Sequence, residues 1–209
     1  MHVDLAGPAG VLEAILDDQP AGGAPRAAVV FGHPHPEHGG TMHTKAVYQG
    51  AKGLARIGCA VLRFNFRGVG RSDGTFGDGA GEQDDFRAGL AYMTTRFPDA
   101  PLWAAGFSFG SWVALEVGAE TPGVSALIGL APPVTGRGYE FTRTLETDKP
   151  KFFVQGSADE LCPVKDLWAF YARLRDPKEL VVIDGANHLF DGHTVEVGEA
   201  LEDLLGDAE

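Results

Sequence analysis

The sequence predicts an α/β fold, with a mainly parallel central sheet and helices on both faces. Two observations carry that prediction. Short runs that are apolar nearly throughout, such as residues 26–32 (RAAVVFG) and 179–183 (ELVVI), alternate with longer segments of helical spacing. A strand apolar at successive positions has both faces buried, which is the situation inside a parallel sheet covered by helices. In addition, 29 glycines and 13 prolines are scattered along the chain, which suits many tight turns better than a disordered tract.

Taken in order, residues 11–16 form a short extended segment, followed by the turn-rich residues 17–25 (DDQPAGGAP). Residues 26–32 are a buried strand ending in Gly32. Residues 44–57 carry Val47, Leu54 and Ile57 at helical spacing, and Gly58 supplies the stop. Residues 59–66 (CAVLRFNF) form the next strand. Residues 82–97 form a helix that is acidic in its first turn and ends at Pro98. Strand 101–107 (PLWAAGF) and helix 108–119 come next, then strand 125–131 (SALIGLA), stopped by Pro132 and Pro133. Strand 151–155 (KFFVQ), helix 165–175, strand 179–183 and a closing helix over 194–205 complete the pattern. The 209 residues fit one domain, 1–209, with no internal repeat or linker.

Composition narrows the function. Lys and Arg total 17 against 29 Asp and Glu, a net charge of −12. Nucleic acids and anionic membranes both select a basic face, so neither is an expected partner. Cys59 and Cys162 make no C-x-x-C pair and no disulfide framework; Cys59 opens an apolar run and reads as a core residue. The opening MHVDLAGPAG lacks a basic stretch followed by an apolar one, and no apolar run approaches the ~18 residues a membrane span needs. The expected location is the cytoplasm. Oligomeric state is not encoded in any of these features.

In open α/β sheets ligands bind beyond the carboxyl ends of the strands. There the chain carries G-x-S-x-G, as Gly106-Phe107-Ser108-Phe109-Gly110, between a predicted strand and a predicted helix. In that setting the serine stands on a sharp turn with its hydroxyl clear of the backbone, and glycines flank it where side chains do not fit. A serine nucleophile needs a base, and the base an orienting carboxylate. Strand 151–155 runs into GSADE, offering Asp159, and strand 179–183 runs into DGANHLF, offering His188. The order Ser, acid, His is the one this architecture requires. Of the rivals, Glu160 reads as a solvated loop residue, Asp184 as a turn former, and His193 as a flank of the last helix.

With these residues in place the chain resembles the α/β-hydrolase superfamily. The resemblance rests on GFSFG, GSADE, GANHLF and the strand-plus-loop FNFRGVGRSDG (64–74), and spans nearly the whole chain. In that last loop Gly68 and Gly70 are followed by Asp73 instead of a third glycine, so a structural turn braced by Arg67 is expected, not a dinucleotide loop. The stretch HPHPEHGGTM is similar to a compact branch of these hydrolases that carries P-H-P-x-x-G-G-[ST]-M after the third strand.

HPHPEHGG by itself also suggests zinc, because His33, His35 and His38 lie within six residues. A zinc hydrolase of the metallo-β-lactamase kind needs further ligands from later loops. No histidine lies between His43 and His188, and only 32 residues precede His33, too few for the strands such a fold places there. No metal and no other cofactor is expected. The resemblance implies instead that this turn supplies one oxyanion donor, the backbone N–H of His35, since Pro34 and Pro36 have none. The N–H of Phe109 is the second. The implied activity is serine hydrolysis of small or exposed carboxylesters or thioesters through an acyl-enzyme. Alternatives are an acyltransferase, an aminoacyl peptidase or a cofactor-free haloperoxidase on the same residues, or a binding module whose triad is idle. The connection 132–150 is too short for a cap domain and has room for one helix, 139–145, so an open, shallow pocket formed in part by His38, Leu161 and this connection is expected.

Overall fold

The structure is a computed structural model that describes residues 1–17 and 23–206. Most of the predicted turn at 17–25 therefore lies outside the described residues. Eight strands form one sheet: β1 (His2–Gly7), β2 (Gly10–Asp17), β3 (Ala28–Gly32), β4 (Ala60–Phe64), β5 (Leu102–Phe107), β6 (Val124–Leu130), β7 (Lys151–Gly156) and β8 (Lys178–Ile183). Their spatial order is β1-β2-β4-β3-β5-β6-β7-β8. Strands β1 and β2 pair antiparallel, as do β2 and β4, and from β4 to β8 every pairing is parallel. The helices are α1 (Lys45–Arg56), α2 (Ala80–Arg96), α3 (Phe109–Glu120), α4 (Thr142–Glu146), α5 (Val164–Tyr171) and α6 (Thr194–Gly206).

Strand periodicity splits the core into two layers. Val29, Phe31, Val61 and Phe107 point to one face, where Val47 and Leu54 of α1 and Leu201 of α6 cover them. Val30, Leu62 and Ala104 point to the other, under Phe86 and Met93 of α2 and Val113 and Val117 of α3. Both faces are filled, which is why these strands are apolar at consecutive positions. The parallel strands also end in near register: Gly32 pairs with Gly106, Gly106 with Gly129 and Gly156 with Ile183. The loops that follow β3, β5, β7 and β8 are thereby delivered to one edge of the sheet.

The loop after β4 is structural, as its glycine spacing predicted. Arg67 grips the fully buried Asp85 of α2 through two side-chain hydrogen bonds at 2.7 and 3.0 Å, and the backbone N–H of Arg67 adds a third at 3.0 Å. Asp73 accepts the N–H of Val11 at 2.7 Å, tying the same loop to β2. Cys59 is fully buried, as expected.

Three elements differ from the sequence reading. Strand β1 carries no apolar run, because it is an edge strand with three of its six residues exposed, and it was not predicted. Helix α5 stops at Tyr171, short of the predicted 175. Helix α4 spans Thr142–Glu146 and not 139–145. Tyr139 is drawn out of it by stacking on Trp112, with ring centroids 4.7 Å apart, and Trp112 Nε1–H donates to the carbonyl of Glu140 at 2.9 Å. Among the described residues no helix is long and apolar enough to cross a membrane.

Candidate active site

Ser108 occupies the turn between β5 and α3 with φ 53° and ψ −121°. A non-glycine residue at positive φ is strained by about 1–3 kcal/mol and persists only where its surroundings enforce it. Here Ser108 N–H donates to Leu130 O at 2.8 Å, and Ser108 O accepts from Ser111 N at 2.9 Å and Ser111 Oγ at 2.6 Å. The flanking glycines are required by close approach. A Cβ on Gly106 would stand 2.1 Å from Gly110 O, and one on Gly110 would stand 2.4 Å from His33 O. Helix α3 is thus pressed against both its own strand and the end of β3.

The structure brings Ser108, His188 and Asp159 together across 80 residues of chain. His188 Nε2 lies 2.9 Å from Ser108 Oγ, and His188 Nδ1 lies 2.8 Å from Asp159 Oδ2. A carboxylate only accepts, so Nδ1 carries the proton of a neutral ring and Nε2 presents its lone pair to the hydroxyl. The Asp159 side chain is fully buried. Its Oδ1 accepts the N–H groups of Leu161 and Cys162 at 2.9 and 2.8 Å, and its Oδ2 also accepts Gln155 Nε2–H at 3.0 Å. All of its acceptor directions are therefore committed. Gln155 was missed from sequence, although a polar residue at the end of the apolar run KFFVQ was a visible signal. Glu160 is exposed, Asp184 sits in the turn after β8 and accepts Ser157 Oγ–H from the loop after β7 at 2.9 Å, and His193 pairs with Glu196 of α6 at 2.8 Å.

The histidine-rich turn divides its labour. His33 is fully buried; its Nδ1–H donates to Pro34 O at 2.6 Å, and its Nε2 accepts Phe66 N–H at 3.1 Å. Both ring nitrogens are thus spent on the backbone, which leaves no lone pair for an ion. His35 and His38 stack with ring centroids 4.4 Å apart, and His35 Nδ1 accepts Glu37 N–H at 3.2 Å. The residue before a proline is pushed to extended ψ, and His35, ahead of Pro36, has ψ 124°. Among the described residues no protein acceptor takes the N–H of His35 or of Phe109. Gly40 closes the turn, because a Cβ there would lie 2.1 Å from Pro34 O.

One group of metal-ligating types, Asp159, Cys162 and His188, has ligand atoms within 4.8 Å of each other. Burial pushes the Cys162 thiol up to about 12, so it is protonated at neutral pH, and the Asp159 oxygens are already filled. These residues serve each other and not an ion.

Burial holds His33 down to about 4, against the rise that its Pro34 hydrogen bond causes; the charge of His35 lowers it further. Between roughly pH 6.5 and pH 4 the unfolded chain binds a proton at this position and the folded chain does not. Stability is therefore fully present above pH 6.5 and falls as pH drops. The loss is about 3 kcal/mol in total, since a tenfold difference in proton affinity between folded and unfolded chain is worth ~1.4 kcal/mol. Urea unfolding at pH 7 and pH 4 is expected to give wild type a loss larger by about that amount than His33→Phe gives. Equal losses would remove His33 as an acid-sensitive element.

Ser108 and His188 face a pocket of about 410 Å³. His38 and Leu161 border it, together with Arg137 and Tyr139 of the connection 132–150 and with Leu189, which had no place in the sequence expectation. Leu161 and Leu189 are about half exposed, at 52% and 51%, so the rim is apolar and open.

Comparison with known proteins agrees with this architecture. Residues 23–147 match the Hydrolase_4 family, described as serine aminopeptidase, S33. An uncharacterized protein of Rickettsia prowazekii is 35% identical over 95% of this chain and 86% of its own length. An α/β serine hydrolase homologue from Coxiella burnetii superposes with a TM-score of 0.90 at 38% identity, covering 98% of this chain and 97% of the other. A serine hydrolase without lid from Xanthomonas campestris does so with a TM-score of 0.88 at 34% identity, covering 97% and 92%. The fold is the α/β-hydrolase fold, and the chain belongs to the Hydrolase_4 (serine aminopeptidase S33) family of α/β serine hydrolases.

Proposed function

We propose that the protein is a serine esterase acting on small or exposed carboxylesters and thioesters. The observation that carries this reading is the continuous hydrogen-bonded chain Asp159–His188–Ser108, ending on a strained turn that opens into the pocket. His188 Nε2 takes the Ser108 proton as Oγ attacks the ester carbonyl. The N–H groups of His35 and Phe109 receive the oxyanion. His188 then protonates the leaving group, and water, activated by the same nitrogen, releases the acid from Ser108. Asp159 holds the tautomer and balances the charge that His188 carries between these steps.

Substrate size follows from the connection between β6 and β7, which forms only the five-residue α4 and leaves the pocket open. Hydrolysis at peptide N-termini is the less favoured reading. An aminopeptidase needs an anion to hold the substrate ammonium, and none of the pocket-lining residues is Asp or Glu. Labelling with a fluorophosphonate, followed by a panel of nitrophenyl esters, thioesters and aminoacyl amides, tests the assignment. Labelling of wild type, with turnover of short esters and thioesters well above that of amides, is expected. Equal labelling of wild type and Ser108→Ala would overturn the assignment.

A further inference from the structure

The pocket holds one group that ester hydrolysis by itself does not require. Arg137 lines the pocket from the connection between β6 and α4. Arg137 shares that lining with Ser108, His35, Tyr139 and Cys162, and its positive charge is felt by the last three. Among the described residues no carboxylate lies within ion-pair distance of it. Among the described residues exposed Arg173 likewise has no carboxylate partner, so what sets Arg137, also exposed, apart is its place in the pocket wall. Arg56 pairs with Glu202, Arg63 with Asp17, Arg67 with Asp85 and Arg143 with Glu120.

Two acids on neighbouring elements are committed elsewhere. Asp166 of α5 accepts Thr135 Oγ1–H at 2.9 Å, and Glu82 of α2 accepts Gly77 and Gly79 N–H at 2.9 and 2.8 Å. A chain of net charge −12 repels anions at long range. Selection of an anionic ligand therefore has to be local, by a cation at the pocket itself. A guanidinium suits that task, since its planar fork takes two oxygens of a carboxylate or phosphate at once and is weakly hydrated.

We propose that Arg137 recognises an oxyanion on the substrate, so that the preferred substrates are esters or thioesters bearing a carboxylate or phosphate at a distance from the scissile carbonyl. This rests on the serine esterase reading for the reacting end of the pocket. Arg137 touches no reacting atom and acts on specificity.

The test compares kcat/KM for 4-nitrophenyl hydrogen glutarate with that for 4-nitrophenyl pentanoate, which has the same chain length and leaving group. Wild type is expected to favour the anionic ester, and the ratio is expected to fall about tenfold in Arg137→Gln, less in Arg137→Lys, as for loss of one charge-assisted pair. The preference is expected to shrink in 1 M salt, where screening acts over about 3 Å. Arg173→Gln, an exposed arginine beyond α5, is the control and is expected to keep the wild-type ratio. Competitive inhibition by glutarate against inhibition by glycerol phosphate distinguishes carboxylate from phosphate. A ratio that is the same in wild type and Arg137→Gln, or that falls equally in Arg173→Gln, would overturn the proposal. Calorimetric binding of both anions to Ser108→Ala, with and without Arg137→Gln, separates it from the esterase reading. Arg137-dependent binding without ester turnover would remove only the esterase reading, and turnover without an anion preference would remove only the Arg137 proposal.

Discussion

Ser108→Ala is expected to lower kcat on a short nitrophenyl ester by about 10⁶-fold, the scale of losing a nucleophile from an intact triad. The fold should survive the change. Alanine keeps the Cβ, so the turn at φ 53° is as strained as before, and the backbone bonds of residue 108 to Leu130 O and from Ser111 remain. Thermal unfolding is therefore expected to match wild type within the ~0.5 kcal/mol usual for a substitution that removes no buried partner. Ser108→Gly separates strain from chemistry. It should be equally inactive, yet at least as stable, because glycine adopts positive φ without steric cost. The residual rate in both variants reports the pocket and the His35 and Phe109 N–H groups alone. If Ser108→Ala kept more than a few per cent of wild-type turnover, the nucleophile would have to be sought elsewhere in the pocket.

Several of these features were readable without coordinates, and the reasons differ. Strands β3 to β7 were legible because burial on both faces leaves an unambiguous apolar run, edge strand β8 because it keeps the run ELVVI although only Ile183 is buried, and Ser108 because Gly106 and Gly110 record, in sequence, a clash between helix α3 and the strands beneath it. Asp159 and His188 were legible only through their order and their place after strands. Edge strand β1 left no run to read, since one of its faces is wet. The histidines of HPHPEHGG pointed towards metal because spacing says nothing of burial. His33 turned out to be a neutral pin between Pro34 and Phe66, 33 residues further on. Arg137 left no local signature at all, because what distinguishes it is its place in the wall of a pocket built from several loops.

Asp159→Asn is expected to cost about 10⁴-fold in kcat, the penalty for trapping the base in the wrong tautomer. The hydrogen-bond directions explain why so small a change is so damaging. Leu161 and Cys162 N–H both point at Oδ1, so the asparagine oxygen must stay on that side. Its NH₂ is then forced to face two former donors, His188 Nδ1 and Gln155 Nε2. His188 can respond only by moving its proton to Nε2, which leaves that nitrogen unable to accept from Ser108. Gln155 cannot relieve the conflict by turning its amide over, because Nε2 also donates to Cys162 O at 2.7 Å and a flipped oxygen would oppose that carbonyl. One buried donor is thereby left facing another, so a loss of stability of about 1–3 kcal/mol should accompany the loss of rate. The adjacent acid supplies the control. Glu160 is exposed and does not take part in the chain, so Glu160→Gln is expected to stay within about twofold of wild type, as surface changes usually do. Parallel kinetics on the two variants decide the assignment: a large loss from Glu160→Gln with near-normal turnover in Asp159→Asn would move the orienting carboxylate by one residue and undo the role given to Gln155.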